Sequence, residues 1–220
     1  MPALALIHTV VSLPAVFQPL VAAALPTWSS FNIVDESLLQ NTLREGALSQ
    51  QTRQRLANYI FSAAAAGADA VVVTCSTLGN AVDDIVSLSS VPLFRIDQGM
   101  ANEAVTIANR IGVLATLPTT LEPTGTAIRN AAAAAGRDCT LTEVLCDGAF
   151  ARLSSGDRAA HDRMVVEGFN QLAREVDIIV LAQASMTQSL VSLASPPVPF
   201  LTSPQLGIAH VARELASHSS

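Results

Sequence analysis

The chain contains no lysine: all twelve of its basic residues are arginines. Without an ε-amine it can form neither a pyridoxal phosphate Schiff base nor the lysine contact of a phosphate-binding P-loop. Charge of either sign is scarce, at 14% of residues, and the net charge is −6. That leaves no basic footprint for a nucleic acid backbone. The three cysteines (Cys75, Cys139, Cys146) have no CxxC spacing and the four histidines (His8, His161, His210, His218) are scattered, so no metal site is expected. An odd cysteine count suits a reducing cytoplasm. Residues 1–26 are apolar and include "VAAALP", which resembles a small-residue cleavage site, but they lack the basic flank of a secretory leader. Pro14, Pro19 and His8 suit a membrane segment badly. A cytoplasmic protein without membrane association is expected.

What the chain has is apolar mass. Half of its 220 residues are hydrophobic, enough for a substantial core in one large or two small domains. Short apolar runs at 3–8, 31–34, 69–74, 92–95, 110–115, 139–145, 177–182 and 198–202 read as strands. Between them lie alanine-rich helical stretches such as 50–66, 98–109, 124–135 and 157–175, with Gly67 and Gly136 marking two of the stops. The alternation predicts an α/β fold with mainly parallel sheets covered on both faces.

The alternation also repeats. Aligning "GADAVVVTCST" with "EVDIIVLAQAS" sets Asp69 on Asp177, Cys75 on Gln183 and Thr77 on Ser185. Aligning "LALIHTVVS" with "IGVLATLPT" sets Thr9 on Thr116 and Ser12 on Thr119 at a separation one residue shorter. Two similar α/β halves related by a pseudo-twofold axis are the economical reading. One would be residues 1–96 with 204–220, the other residues 97–203.

In open parallel sheets ligands bind beyond the carboxyl ends of the strands. The repeated corners put hydroxyls there: Thr9, Ser12 and Thr77 in one half, Thr116, Thr119, Thr120 and Ser185 in the other. Such groups at helix starts can cradle a small anion, or can simply cap their own helices. Cys75 follows a buried strand and precedes a helix, a position that lowers a thiol's pKa and offers the thiolate as base or nucleophile; a buried structural cysteine is the alternative. His8 ends the first strand, where it can tune Cys75 or donate to it. Asp35 and Glu36 end the next strand as candidate acids or as a solvated edge. Cys146 closes a strand and is a weak second thiol, whereas Cys139 opens that strand at the wrong end. His161 falls within a helix and reads as structural.

"TCST" with Cys75 and Thr77, "GVLATLPTT" with Thr116, and "VDIIVLAQASM" together resemble the aspartate/glutamate racemase superfamily, which includes hydantoin racemases, maleate isomerases and arylmalonate decarboxylases. The resemblance spans nearly the whole chain. It implies two flavodoxin-like (Rossmann-like) halves enclosing one small carboxylate, no cofactor, and a homo-dimer or higher homo-oligomer. It also implies substrate contacts from Ser76 and Ala184, beside the hydroxyls already named. The family's racemases use two thiols on opposite faces of the substrate carbon. Cys75 matches the first; Ala182 and Gln183 stand where the family has Gly-Cys. A carboxamide exchanges no proton near neutral pH, so two-thiol racemisation is not expected here.

One thiol leaves several reactions. Cys75 can protonate a carbanion after decarboxylation of a malonate-type substrate, with Gln183 and the hydroxyls steadying the oxyanion. It can add to a double bond and allow rotation. It can racemise if His8 or Cys146 serves the second face. A non-catalytic carboxylate-binding protein is the remaining class. The expectation is a racemase- or isomerase-type enzyme with Cys75 as its single active-site thiol.

Overall fold

The computed structural model describes residues 1–193 and 195–218; Ala194 and the last two residues, which fall within the two expected halves, lie outside the described residues. The chain divides into two units. One comprises Met1–Gly99 and the C-terminal segment from Pro204; the other is Met100–Ser203.

The first unit is a four-stranded parallel sheet. Its strands are β1 (Ala3–His8), β2 (Ser29–Val34), β3 (Ala70–Val73) and β4 (Leu93–Arg95), in the order β2-β1-β3-β4. Strands β1 and β3 are central and almost wholly buried, so they need apolar side chains on both faces. Alternate residues serve the two sides. Ala5, Ile7, Val71 and Val73 pack with Leu38 of α2 (Glu36–Glu45), Leu56 and Ile60 of α3 (Gln50–Ala65), and Val82 of α4 (Gly79–Ile85). Leu4, Leu6, Ala70 and Val72 pack with Phe17 and Val21 of α1 (Leu13–Ala24) and with Ile208 and Val211 of α9 (Ser203–His218). The last helix thus returns to the first sheet. It docks tightly there, because a Cβ on Gly207 would lie 2.1 Å from the Ile96 carbonyl oxygen.

The second unit repeats the plan. Strands β5 (Arg110–Ala115), β6 (Thr140–Leu145), β7 (Ile178–Leu181) and β8 (Phe200–Thr202) run parallel in the order β6-β5-β7-β8. Leu114, Ile179 and Leu181 bury one face against Val165, Phe169 and Leu172 of α8 (Arg158–Leu172). Helices α5 (Gln98–Ile107), α6 (Pro118–Ala134) and α7 (Ala149–Ser154) complete it. The two expected glycine stops, Gly67 and Gly136, both adopt positive φ (94° and 62°), which costs glycine nothing.

Helix α6 begins at Pro118, six residues earlier than the sequence suggests. Its first residues need no intrahelical N–H donor, so a proline there is tolerated. Among the described residues no helix is long and apolar enough to cross a membrane.

Candidate active site

The register Ile7↔Val73 brings the ends of β1 and β3 side by side. Beyond them Thr74 donates its N–H to the Ile7 carbonyl at 3.0 Å. Cys75 follows in extended conformation (φ −118°, ψ 111°), and the chain then turns through a 3-10 segment, Ser76–Leu78, into α4. The donors around the sulfur are the Thr9 hydroxyl from the loop after β1, the Thr77 N–H and hydroxyl and, most weakly, the Leu78 N–H, which also donates to the Cys75 carbonyl at 3.0 Å.

These donors favour a thiolate, as the position predicts. Desolvation is the larger effect, however, and pushes the Cys75 thiol above its usual range. This corrects the expectation of a lowered pKa. Cys75 keeps part of its surface exposed, but its sulfur is packed closely enough for desolvation to win. At neutral pH the group rests as a thiol, with the donors that would stabilise its thiolate already in place.

His8 differs from expectation. It is wholly buried, with Nε2 2.8 Å from Asn32 Oδ1 and Nδ1 2.7 Å from Thr74 Oγ1. Burial lowers its pKa despite the opposing bond to Asn32, so the ring is neutral. In that state Nε2–H donates to Asn32, and Nδ1 and the Ile7 carbonyl, 3.0 Å from Thr74 Oγ1, share the one proton of the Thr74 hydroxyl. Both nitrogens are spent within the sheet. His8 therefore pins β2, β1 and the residue before Cys75, and has no free proton for a ligand.

Asp35 is also engaged. It caps α2, accepting from Ser37 N–H at 2.9 Å and Ser37 hydroxyl at 2.6 Å, and takes Tyr59 hydroxyl at 2.9 Å beside Arg55. Burial would raise its pKa, but the bonds from Ser37 and Tyr59 and the Arg55 charge outweigh it and hold the carboxyl below its ordinary value. Glu36 is exposed in the first turn of α2.

In the second unit the register Leu114↔Leu181 places Gln183 beside Thr116. The carboxamide uses both ends: Oε1 accepts the Thr116 N–H at 2.7 Å, and Nε2 donates to Thr116 Oγ1 at 2.9 Å. Gln183 and Thr116, both expected to offer bonds to a ligand, instead bind each other. Thr119 Oγ1, in the first turn of α6, is buried with no hydrogen-bond partner, and Thr120 is buried. Ala184 and Ser185 open the 3-10 segment Ala184–Ser192, Ser185 exposed. In the first unit Thr9, Ser76 and Thr77 are buried. Ser12 stands exposed at the N-cap of α1 without a side-chain cap bond, so it does not serve its own helix in that way.

Cys146 is no second thiol at an open edge. Its sulfur lies against α8, 2.6 Å from where a Cβ on Gly168 would stand, and burial pushes its pKa to about 11. Cys139 precedes β6, at the opposite end of that strand. His161 is fully buried; its Nδ1 lies 3.0 Å from the Ala149 carbonyl, while Nε2 has no partner. Sequence reasoning missed Asn32, Thr74, and the buried Arg95 and Asp97. For the last pair a signal existed: "RID" sets two opposite charges at the two-residue strand period. Among the described residues no group of His, Cys, Asp or Glu could hold a metal ion.

A family model described as Asp/Glu/Hydantoin racemase matches residues 9–211. No curated protein matches the chain in sequence. Among solved structures, glutamate racemase from Thermus thermophilus in complex with β-chloro-D-alanine superposes with a TM-score of 0.75 at 18% identity, covering 99% of this chain and 82% of that one. Allantoin racemase from Klebsiella pneumoniae gives 0.64 at 16% identity, covering 100% and 89%. Unliganded arylmalonate decarboxylase gives 0.54 at 14% identity, covering 100% and 95%. At these identities the likeness concerns the fold.

Proposed function

We propose that this chain, which belongs to the Asp/Glu/hydantoin racemase family, is a cofactor-independent enzyme in which Cys75 is the only thiol that moves a proton at the carbon next to a small carboxylate. The observation that carries the reading is the placement of Cys75: it stands partly exposed just beyond the buried strand β3, at the start of the turn into α4, with the Thr9 and Thr77 hydroxyls and the Thr77 N–H around its sulfur and burial favouring the thiol. Such a group is suited to give its proton first. In a malonate-type substrate the bond to one carboxylate breaks, carbon dioxide leaves, and the electron pair remains as an enediolate. The Cys75 S–H bond then delivers its proton to carbon. The resulting thiolate is held by Thr9, Thr77 and Leu78 until solvent reprotonates it. Thr9, Ser12, Ser76 and Thr77, which share the first unit with Cys75, are the proposed substrate contacts. Gln183 acts through Thr116 and moves no proton.

The same thiol also supports racemisation or isomerisation at that carbon, the activity suggested by the family name. Neither His8 nor Cys146 has the geometry of a second acid, which favours one-sided protonation. Cytoplasmic location, which rests on the odd cysteine count, and a homo-dimer or higher homo-oligomer, which rests on the family resemblance, are part of the proposal. The test is incubation with disubstituted malonates, reading carbon dioxide release and the optical purity of the product. Release with one product enantiomer, lost in Cys75→Ala, is expected. Turnover persisting in Cys75→Ala would overturn the mechanism. Ligand affinity with no turnover in either form would identify a binding protein.

A further inference from the structure

Arg95 has no part in the proton transfer above, and its burial needs a reason. It ends β4 and is 4% exposed; wholly buried Asp97 accepts its Nε–H at 2.7 Å and its Nη2–H at 2.9 Å. Asp83, on α4, accepts from Nη1 at 2.5 Å. Burying ionic groups together is seldom a net source of stability, so the arrangement is better understood from what the guanidinium touches. That is the backbone of Gly79: a Cβ there would fall 2.2 Å from Nη2, 2.5 Å from Cζ and 2.9 Å from Nε of Arg95. Gly79 directly follows the 3-10 turn Ser76–Leu78 and opens α4. The N–H groups aimed at the Cys75 sulfur belong to Thr77 and Leu78 of that same turn.

We infer that Arg95, locked by Asp97 and Asp83, is a positioning residue that uses the slot left by Gly79 to seat the turn carrying the N–H donors of Cys75. The inference deepens the reading of Cys75 as the active thiol and rests on it. Two perturbations isolate the effect. Arg95→Met with Asp97→Asn removes one positive and one negative charge together, so the local net charge is unchanged, and Asp83, which loses its partner, is 43% exposed and solvated. Gly79→Ala keeps every charge and pushes a methyl group into the guanidinium.

The readout is the rate of iodoacetamide alkylation of Cys75 against pH, followed by peptide mass spectrometry, with half-buried Cys139 as internal control. Both variants should shift the Cys75 profile upward by roughly one pH unit, about tenfold in rate at fixed pH, and leave Cys139 unmoved. An unchanged Cys75 profile in either folded variant overturns the inference. If Gly79→Ala fails to fold, it is combined with Arg95→Met and Asp97→Asn. Recovered folding supports the contact, and continued failure overturns it. Alkylation does not depend on turnover. An active Cys75→Ala enzyme would therefore sink the proposed function and leave this comparison readable.

Discussion

Gln183→Ala tests whether the second corner is held by its own side chain. The substitution removes two neutral hydrogen bonds, to the Thr116 N–H at 2.7 Å and the Thr116 hydroxyl at 2.9 Å. Thr116 is 3% exposed, so solvent replaces them poorly. At roughly 1 kcal/mol net for each bond the loss is about 2 kcal/mol. For a chain of this size that corresponds to a Tm lower by roughly 4–8 °C. Gln183→Glu separates geometry from charge. One carboxylate oxygen keeps the N–H, and the Thr116 hydroxyl rotates from acceptor to donor. The negative charge sits near the start of α6, where the helix dipole favours it. The loss should then be under about 1 kcal/mol. Urea unfolding with unchanged m-value, and the amide resonance of Thr116, provide the assay. A Gln183→Ala midpoint equal to the wild type, or Gln183→Glu weaker than Gln183→Ala, would refute the clamp.

His8 has a folded pKa below its unfolded value of 6.5, so the unfolded chain gains the proton first as pH falls. Its contribution to stability is complete above pH 6.5 and is lost as pH falls through the folded pKa; a His8 Cε1–H resonance titrating at or above 6.5 would contradict this. Gly207→Ala brings a methyl group within 2.1 Å of the Ile96 carbonyl oxygen and should cost about 1–3 kcal/mol in urea unfolding, whereas a wild-type midpoint would mean that α9 yields freely. Cys146, with its pKa pushed to about 11, should resist alkylation at pH 8 until urea is added, and Cys146→Ala should leave turnover unchanged; labelling in the native state would return it to candidacy as a second thiol.

The parallel sheets were legible in sequence because central strands buried on both faces must be apolar throughout, as "AVVV" and "IIVL" are. Prolines marked some helices badly: Pro118 and Pro123 hid the first turns of α6, and α1, which none of the expected helical stretches covers, runs through Pro14 and Pro19. At the site, residue types and chain positions showed which groups reach the strand ends. Their partners did not show, because those depend on register: Leu114↔Leu181 turns Gln183 onto Thr116, and Ile7↔Val73 gives Thr74 to His8. The pKa of Cys75 went the other way for a related reason. Proximity to a helix start is a sequence feature, but desolvation depends on everything packed around the sulfur.

The most direct test of the central claim is proton NMR in deuterated water. The protein would be given α-chiral carboxylates, hydantoins, maleate and arylmalonates in turn, with Cys75→Ala beside it. The account predicts deuterium at the carbon next to the carboxylate of a product formed by the wild type, and none formed by Cys75→Ala. Equal deuterium incorporation by both proteins would contradict it, because the proton would then come from a group other than Cys75.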